Sequence, residues 1–228
     1  MNFWDFHDGL DLETVIRWCS EDREMLSEEF FLARPEWEGK PAALWLEELL
    51  DLCRVRVRDC PLAPGQLGLC ELSERTIYVN SRMSDFVHHS VDLEALRTST
   101  LAHEFGHIRM HGEEDQENTF TFSYRGNSHF HHPRMYQRER EADLYGALFL
   151  VPIQELRNHD VCARFLKYRK ERRQLKPGTL WKGIYRMARD FRVSPSFMKR
   201  CLVELGWLEN RAGSKGRKFL ALRLGAGS

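Results

Sequence analysis

The stretch TSTLAHEFGHIRMHG, residues 98–112, contains His103, Glu104 and His107 in the pattern HExxH. The surrounding residues favour an α-helix, in which side chains four positions apart lie on one face. Two imidazoles on one face can bind the same tetrahedral Zn²⁺. A glutamate beside them can take a proton from a metal-bound water, whose pKa the metal lowers to about 7. The stretch therefore predicts a zinc site on a helix, and this helix decides how the rest of the chain is interpreted.

The pattern HExxH is specific enough to be informative but does not define a complete site. The composition of the chain predicts about 0.04 accidental matches to it. The alternative interpretation is an amphipathic helix whose histidines face a core or water. A third ligand distinguishes the two interpretations, because catalytic zinc takes three protein ligands and keeps one position for water.

Several histidines downstream are candidates for the third ligand. His111 continues the same helix, but it lies two turns from His103 and could reach the metal only if the helix unwound. The metzincin pattern HExxHxxGxxH is excluded, because Glu113 stands at its last histidine position. A second candidate is a cluster in a segment rich in Gly, Ser and Asn, where a solvated turn is the ordinary interpretation. Its members are His129, His131 and His132.

Glu139 is the preferred candidate for the third ligand. Residues 135–150 predict a second helix, with Glu139, Ala142, Asp143 and Gly146 on one face. The small side chains of Ala142 and Gly146 would let this face approach the HExxH helix closely. Glu139 could then bind the metal, and Asp143 could orient one of the zinc histidines without binding the metal itself. The alternative is a solvated, charged helix with a stripe of small residues for packing.

Four blocks of the sequence follow one another in a specific order: ERTIYVN, HEFGHIRMH, EREADLYGALFLVP and ARDFRVSPSFMKRCLVELGWL. Together they resemble the ImmA/IrrE family of gluzincin-type zinc peptidases, over about residues 53–207. That family has an HELGH-like helix, an E-x-x-A-N/D-x-F-A-x-x-L-L-x-P helix and a later F-x-V-S segment. The resemblance implies that His103, His107 and Glu139 bind zinc and that Glu104 is the catalytic base. The departures are YG for the usual Phe-Ala and VP for the usual Met-Pro.

Three short runs before the HExxH helix predict strands, at residues 53–58, 66–72 and 75–80. Together they predict a small antiparallel sheet packed on the helix. An edge strand beside a metal can pair with an extended substrate backbone. The strand expected to bind substrate in this way comprises Thr76, Ile77, Tyr78, Val79 and Asn80. The alternative is an ordinary sheet packed beneath the helix.

The formal net charge is zero, but the charges are unevenly distributed along the chain. Residues 1–114 carry 11 Lys and Arg against 23 Asp and Glu, whereas residues 115–228 carry 23 against 11, so the halves have charges of −12 and +12. This asymmetry indicates either two halves that attract each other or a basic surface for an acidic partner such as nucleic acid.

The basic half contains a predicted helix-turn-helix. Residues 164–176 hold seven basic side chains and one acidic one, which ordinarily indicates a solvated helix face. Residues 179–191 and 195–205 then predict two helices, with Ser194 as the N-cap of the second. The candidate nucleic-acid contacts are Arg169, Lys170, Arg172, Arg173, Lys199 and Arg200. The family resemblance favours a structural role for the helix pair, because the pair lies within the family's own pattern.

The sequence predicts a cytoplasmic protein that does not enter a membrane. The first residues, MNFWDFHDGLDLE, lack the basic start and apolar run of a secretory signal, and the chain has no run of 18 apolar residues. The six cysteines form no CxxC pair, so neither a disulfide scaffold nor a thiolate zinc site is indicated.

We expect an α+β fold in three parts. These are an N-terminal helical segment at 1–52, a zinc metallopeptidase core at 53–160, and a basic helical region with the helix-turn-helix-like pair at 161–228. The core would consist of the small sheet, the HExxH helix and the second ligand helix.

The resemblance implies a zinc endopeptidase that cleaves a helix-turn-helix transcriptional repressor. Single-stranded DNA is the favoured activator, because its phosphates suit clustered Lys and Arg. The main alternative is a zinc-stabilised regulator that binds DNA or a repressor without proteolysis. Glu104 distinguishes the two, since only catalysis requires its carboxylate. A general housekeeping peptidase agrees less well with the resemblance.

Overall fold

The HExxH stretch forms a helix, and an α+β fold is arranged around it. The computed structural model describes residues 12–89, 91–111, 119–123, 133–212 and 218–223. In chain order the helices are α1 (Leu12–Ala33), α2 (Leu46–Leu52), α3 (Leu93–His111), α4 (Pro133–Leu150), α5 (Ile153–Asn158), α6 (Asp160–Lys170), α7 (Pro177–Asp190) and α8 (Pro195–Glu204). The strands are β1 (Arg56–Cys60), β2 (Gln66–Glu71), β3 (Thr76–Asn80), β4 (Thr119–Ser123), β5 (Leu208–Ala212) and β6 (Lys218–Leu222).

Helix α3 carries the HExxH motif and is buried on all sides through its middle. Asp92 caps its start, because the carboxylate accepts a hydrogen bond from the backbone N–H of Ala95 at 3.1 Å. Residues 99–108 are all buried or nearly so, between the sheet and α4. The hydroxyls of Ser99 and Thr100 donate to the carbonyl of Leu96, which satisfies two polar groups in this interior.

Helix α4 packs against α3 at a distance that only glycine permits. A Cβ on Gly146 would lie 2.9 Å from the backbone of Ala102, and a Cβ on Gly106 would lie 2.8 Å from the carbonyl oxygen of Ala142. The predicted close approach of the small-residue face of α4 is therefore confirmed. Each helix contributes one glycine to the contact, so the two backbones touch at two points.

The first sheet is mixed, with the strand order β1-β3-β2-β4. Strands β2 and β3 form an antiparallel hairpin, and β2 also pairs antiparallel with β4. Strand β1 pairs with β3 in parallel. The expectation of a wholly antiparallel sheet is wrong at this pair, because the chain crosses over after β1, so that β1 pairs with β3 in the same direction and not with β2.

The expectation that Thr76, Ile77, Tyr78, Val79 and Asn80 form an edge strand that binds substrate is also wrong. These five residues form β3, which is hydrogen-bonded to β1 on one side and to β2 on the other. Its backbone therefore has no free edge for a substrate strand. The side chains are structural as well: Ile77 and Val79 are buried, and the Asn80 amide donates to the Gln66 carbonyl at 2.7 Å.

The C-terminal part contains the predicted helix pair and a hairpin. The Ser194 hydroxyl accepts a hydrogen bond from Phe197 N–H at 3.1 Å, so Ser194 is the N-cap of α8 as predicted. Strands β5 and β6 pair antiparallel. The Gln174 side chain bonds both the N–H and the carbonyl of Leu222 and thereby attaches β6 to the segment after α6.

One contiguous cluster of buried apolar side chains extends from Cys19 to Leu222 and includes residues of all three expected parts. The boundaries at 52/53 and 160/161 stay predictions. All six cysteines are free thiols. Among the residues with described coordinates, no helix is both long and apolar enough to cross a lipid bilayer.

Asp22 links α1 to both helices of the predicted site. Its Oδ2 accepts hydrogen bonds from Arg109 Nε at 3.0 Å and from the Tyr145 hydroxyl at 2.7 Å. Its Oδ1 accepts a second bond from the same guanidinium. Asp22 is almost wholly buried, whereas Arg109 is partly exposed. One carboxylate thus joins the N-terminal helix to α3, two residues after His107, and to α4.

We expect Asp22→Ala to lower the free energy of unfolding by about 3 kcal/mol, because it leaves a partly buried guanidinium and a buried hydroxyl without their shared acceptor. Urea denaturation measures the change. The control is Glu74→Ala, which removes an exposed ion pair with Arg56 and should cost under about 1 kcal/mol. Equal losses in the two variants would contradict a structural role for the Asp22 contacts.

Candidate metal centre

Three side chains predicted as metal ligands converge in the structure. His103 and His107 lie one turn apart on α3, and Glu139 faces them from α4. The Nε2 atoms of the two histidines are 3.1 Å apart. Glu139 places Oε2 at 3.4 Å from His103 Nε2 and Oε1 at 3.4 Å from His107 Nε2. All three residues are buried, and their donor atoms lie within 4.8 Å of one another.

These separations fit a tetrahedral metal ion. With metal–ligand distances of about 2.0–2.1 Å, neighbouring ligands of a tetrahedron stand about 3.3–3.4 Å apart, close to the distances between the three pairs of atoms. Two imidazole nitrogens and one carboxylate oxygen are also a donor set typical of zinc. His103, His107 and Glu139 can therefore hold a metal ion.

The other candidate ligands are separate from this group or undescribed. His111 lies on the same helix, but its Nε2 is 3.3 Å from the carbonyl oxygen of Arg138 and 3.7 Å from Glu141 Oε2. It therefore contacts the first part of α4 and is not one of the donors that lie within 4.8 Å of one another. The cluster of His129, His131 and His132 lies outside the described residues.

Asp143 occupies the position expected for an orienting carboxylate. Its Oδ1 is 3.0 Å from His103 Nδ1, where it can accept the ring N–H. This contact keeps the proton of a neutral His103 on Nδ1, so that Nε2 carries the lone pair that can bind a metal. Because Asp143 follows Glu139 by four residues, one face of α4 supplies both the carboxylate for the metal and the carboxylate for its histidine.

Glu104 is fully buried between α3 and the sheet. A Cβ on Gly68, in β2, would lie 2.7 Å from Glu104 Oε1. The carboxylate therefore rests against the backbone of β2 and needs a residue without a side chain there. The pairing of β2 with β4 shifts register between Gln66 and Gly68, and such irregularities are common next to active sites. Gly68 was not among the residues predicted for the site, although a glycine inside a strand pattern is a known signal of close approach.

The pKa values of the three candidate donors depend on one another and on burial. Burial lowers the pKa of His103, but hydrogen bonds to Asp143 and Glu139 outweigh burial and raise that pKa above its ordinary value. Burial dominates at His107 and lowers its pKa. At Glu139 burial raises the pKa, whereas the hydrogen bonds from the two histidines outweigh it and hold the pKa below its usual range.

The predicted nucleic-acid contacts lie on two elements. Arg169 and Lys170 end α6, and Arg172 and Arg173 follow in an exposed turn. Lys199 and Arg200 lie on α8. Arg200 is also part of the environment of the metal centre, because its Nη1 is 3.5 Å from Asp143 Oδ1.

We expect Glu139→Ala to lower zinc affinity by more than about 100-fold, because the loss of a residue that only supports a ligand already costs 10–100-fold. Competition with a chelator measures the affinity, and circular dichroism checks the fold. The matched control is Glu141→Ala, which removes a half-buried carboxylate of the same helix near His111 and should leave zinc affinity unchanged. Full affinity in Glu139→Ala would make the assignment of the third ligand wrong. A loss in Glu141→Ala alone would favour His111.

Comparison with known proteins identifies the family. Residues 54–202 match the family model Peptidase_M78, described as the IrrE N-terminal-like domain. No curated protein and no solved structure shows a significant match to the chain. The matched segment includes all three donors, Glu104 and Asp143, and it spans more than half of the chain. The resemblance to the ImmA/IrrE family is thereby confirmed, and the chain belongs to the Peptidase_M78 family of IrrE N-terminal-like domains.

Proposed function

We propose that this protein is a zinc-dependent endopeptidase that cleaves a helix-turn-helix transcriptional repressor. The observation that carries the peptidase proposal is the placement of Glu104 next to a group of three buried metal donors. Among the residues that the structure describes, this group has three members. Catalytic zinc typically has three protein ligands, whereas structural zinc has four. The number of donors therefore favours a reactive site over a purely structural one.

The residues of the candidate site have separate roles in peptide hydrolysis. His103, His107 and Glu139 hold the zinc ion, which when bound supplies a Lewis acid and lowers the pKa of water. Glu104 acts as the general base: its carboxylate takes a proton from the attacking water and delivers it to the departing amine. Asp143 keeps the ring of His103 in the orientation and tautomer that binding requires. Burial of the site strengthens each of these electrostatic interactions.

A substrate segment would have to lie extended beside Glu104. Since β3 is interior, we propose that the substrate backbone pairs with β4 instead. Strand β4 stands at the end of the described sheet and pairs with β2, the strand whose Gly68 touches Glu104. Pairing along an open edge requires an extended partner. The cleaved bond would thus lie in an extended, accessible segment of the repressor, such as a linker, and not within a helix.

The choice of a repressor as substrate rests on the resemblance to ImmA/IrrE proteins. As a family these are associated with disabling helix-turn-helix repressors of mobile elements and of stress or defence genes. The alternative function is a zinc-stabilised regulator that binds DNA or a repressor without proteolysis. Metal binding alone is compatible with both functions, so the carboxylate of Glu104 has to be tested.

We expect Glu104→Gln to retain the fold and zinc but to lower the rate of repressor cleavage by about 10²–10⁴-fold, since an amide cannot accept the proton of water. Cleavage of a purified helix-turn-helix repressor, followed over time by mass spectrometry, measures the rate. The control is Glu94→Gln, in the exposed first turn of the same helix, which should cleave normally. A Glu104→Gln protein that still relieved repression in cells would support the non-proteolytic regulator.

We further propose that single-stranded DNA activates the peptidase through the C-terminal basic region. Four basic residues at the end of α6 and just after it are suitable phosphate contacts: Arg169, Lys170, Arg172 and Arg173. On α7, the next helix along the chain, the rings of Trp181 and Tyr185 are 6.1 Å apart, and Tyr185 is 59% exposed, so that bases could stack there. Trp207 is buried and is unsuitable for stacking.

Binding of an oligonucleotide over a salt series tests this activator. Fluorescence anisotropy should give an affinity that falls with salt by a log–log slope of about −0.7 per phosphate contact. Reversal of charge at Arg169, Arg172 and Arg173 should flatten the slope. Reversal at Arg34 and Arg56, two exposed arginines of the N-terminal half, should not. Absence of binding at low salt, or binding that leaves the cleavage rate unchanged, would remove nucleic acid from the mechanism.

A further inference from the structure

Helix α8, the second helix of the helix-turn-helix-like pair, packs against the ligand helix α4. Arg200 marks the contact: its Nη1 lies 3.5 Å from Asp143 Oδ1. The same oxygen of Asp143 lies 3.0 Å from His103 Nδ1. One carboxylate oxygen is thus shared between a guanidinium of the C-terminal region and a histidine of the metal centre.

The exposure of these three side chains decreases from the surface to the metal centre. The side chain of Arg200 is 41% exposed, that of Asp143 is 28% exposed and that of His103 is 3% exposed. Arg200 is also positioned by its own helix, because its guanidinium lies 5.7 Å from the ring centroid of the buried Phe197. The cation is therefore held beside the carboxylate from two directions.

A second carboxylate, that of Glu204, also interacts with the charge of Arg200. Glu204 lies one turn beyond Arg200 on α8. Burial, followed by the charge of Asp143, raises the pKa of Glu204 to about 7, although Arg140 and Arg200 oppose the shift. Arg200 thus stands in a neighbourhood where two acidic groups repel each other. Without Arg200, only Arg140 would oppose the repulsion between Glu204 and Asp143.

We infer that Arg200 is a positioning residue of the metal centre: it holds Asp143 against His103 and thereby couples the C-terminal helix pair to metal binding. This inference rests on the proposed metal site, but not on proteolysis or DNA binding. Arg200 does not touch the metal donors. It acts through Asp143, so its effect must depend on that carboxylate.

Zinc affinity of the full chain tests the coupling. Arg200→Met should weaken zinc binding by about 3–10-fold, less than the 10–100-fold typical of a residue that contacts a ligand directly. Arg200→Lys keeps the positive charge and should restore most of the affinity. The matched control is Arg186→Met, which removes a guanidinium of similar exposure from α7, where it pairs with Asp160 at 2.9 Å. That variant should bind zinc like the wild type.

A double-mutant cycle separates positioning from a general loss of stability. In an Asp143→Asn background, Arg200→Met should no longer change zinc affinity, because the group through which it acts has lost its charge. The same factor in both backgrounds, or equal affinities of Arg200→Met and Arg186→Met, would overturn the inference. If Arg200→Met does not fold, Arg200→Gln and Arg200→Lys provide the same comparison. If the wild type itself binds no zinc, the proposed metal site fails and not the coupling alone.

Discussion

The close contact between α3 and α4 is the constraint on which the site depends. Two histidines on one helix can supply only part of a metal site. The third donor comes from α4, where the Glu139 carboxylate oxygens lie 3.4 Å from the Nε2 atoms of the two histidines. Gly106 and Gly146 allow this, because a side chain at either position would collide with the facing backbone. The geometry of the donors is therefore a consequence of helix packing. A shift of about 1 Å of α4 away from α3 would move Glu139 away from both histidines.

Residues far along the chain hold this pair of helices in place. Asp22 lies in α1, before the segment that matches the family, yet it binds Arg109 on α3 and Tyr145 on α4. On the other side, α8 brings Arg200 to Asp143. Arg109 lies two residues after His107, and Asp143 and Tyr145 lie four and six residues after Glu139. The N-terminal helix and the C-terminal helix pair are thus physical supports of the centre, in addition to any role of their own.

Local patterns were sufficient to predict which three candidate donors converge, but not the contacts between distant elements. The turn spacing of His103 and His107 and the small-residue face around Glu139 are properties of single helices, so sequence alone could reveal them. The order of strands is different, because hydrogen bonding of β3 to β1 depends on where the chain returns after β2. The same applies to Gly68 and Asp22, whose importance comes from partners more than 30 positions away in the chain.

Arg200 illustrates why a basic side chain cannot be assigned from charge alone. On the sequence it is one of six candidate phosphate contacts, whereas in the structure its guanidinium faces Asp143. A phosphate that recruited Arg200 would compete with that carboxylate, so nucleic acid bound at α8 would weaken the support of His103. A phosphate that recruited Arg173 would compete only with Glu171 at the surface, where Arg173 also lies over the ring of Tyr168, and would not affect the support of His103. A polyanion that activated the protein would therefore be expected to bind at the end of α6. A polyanion that bound at α8 would be expected to inhibit it.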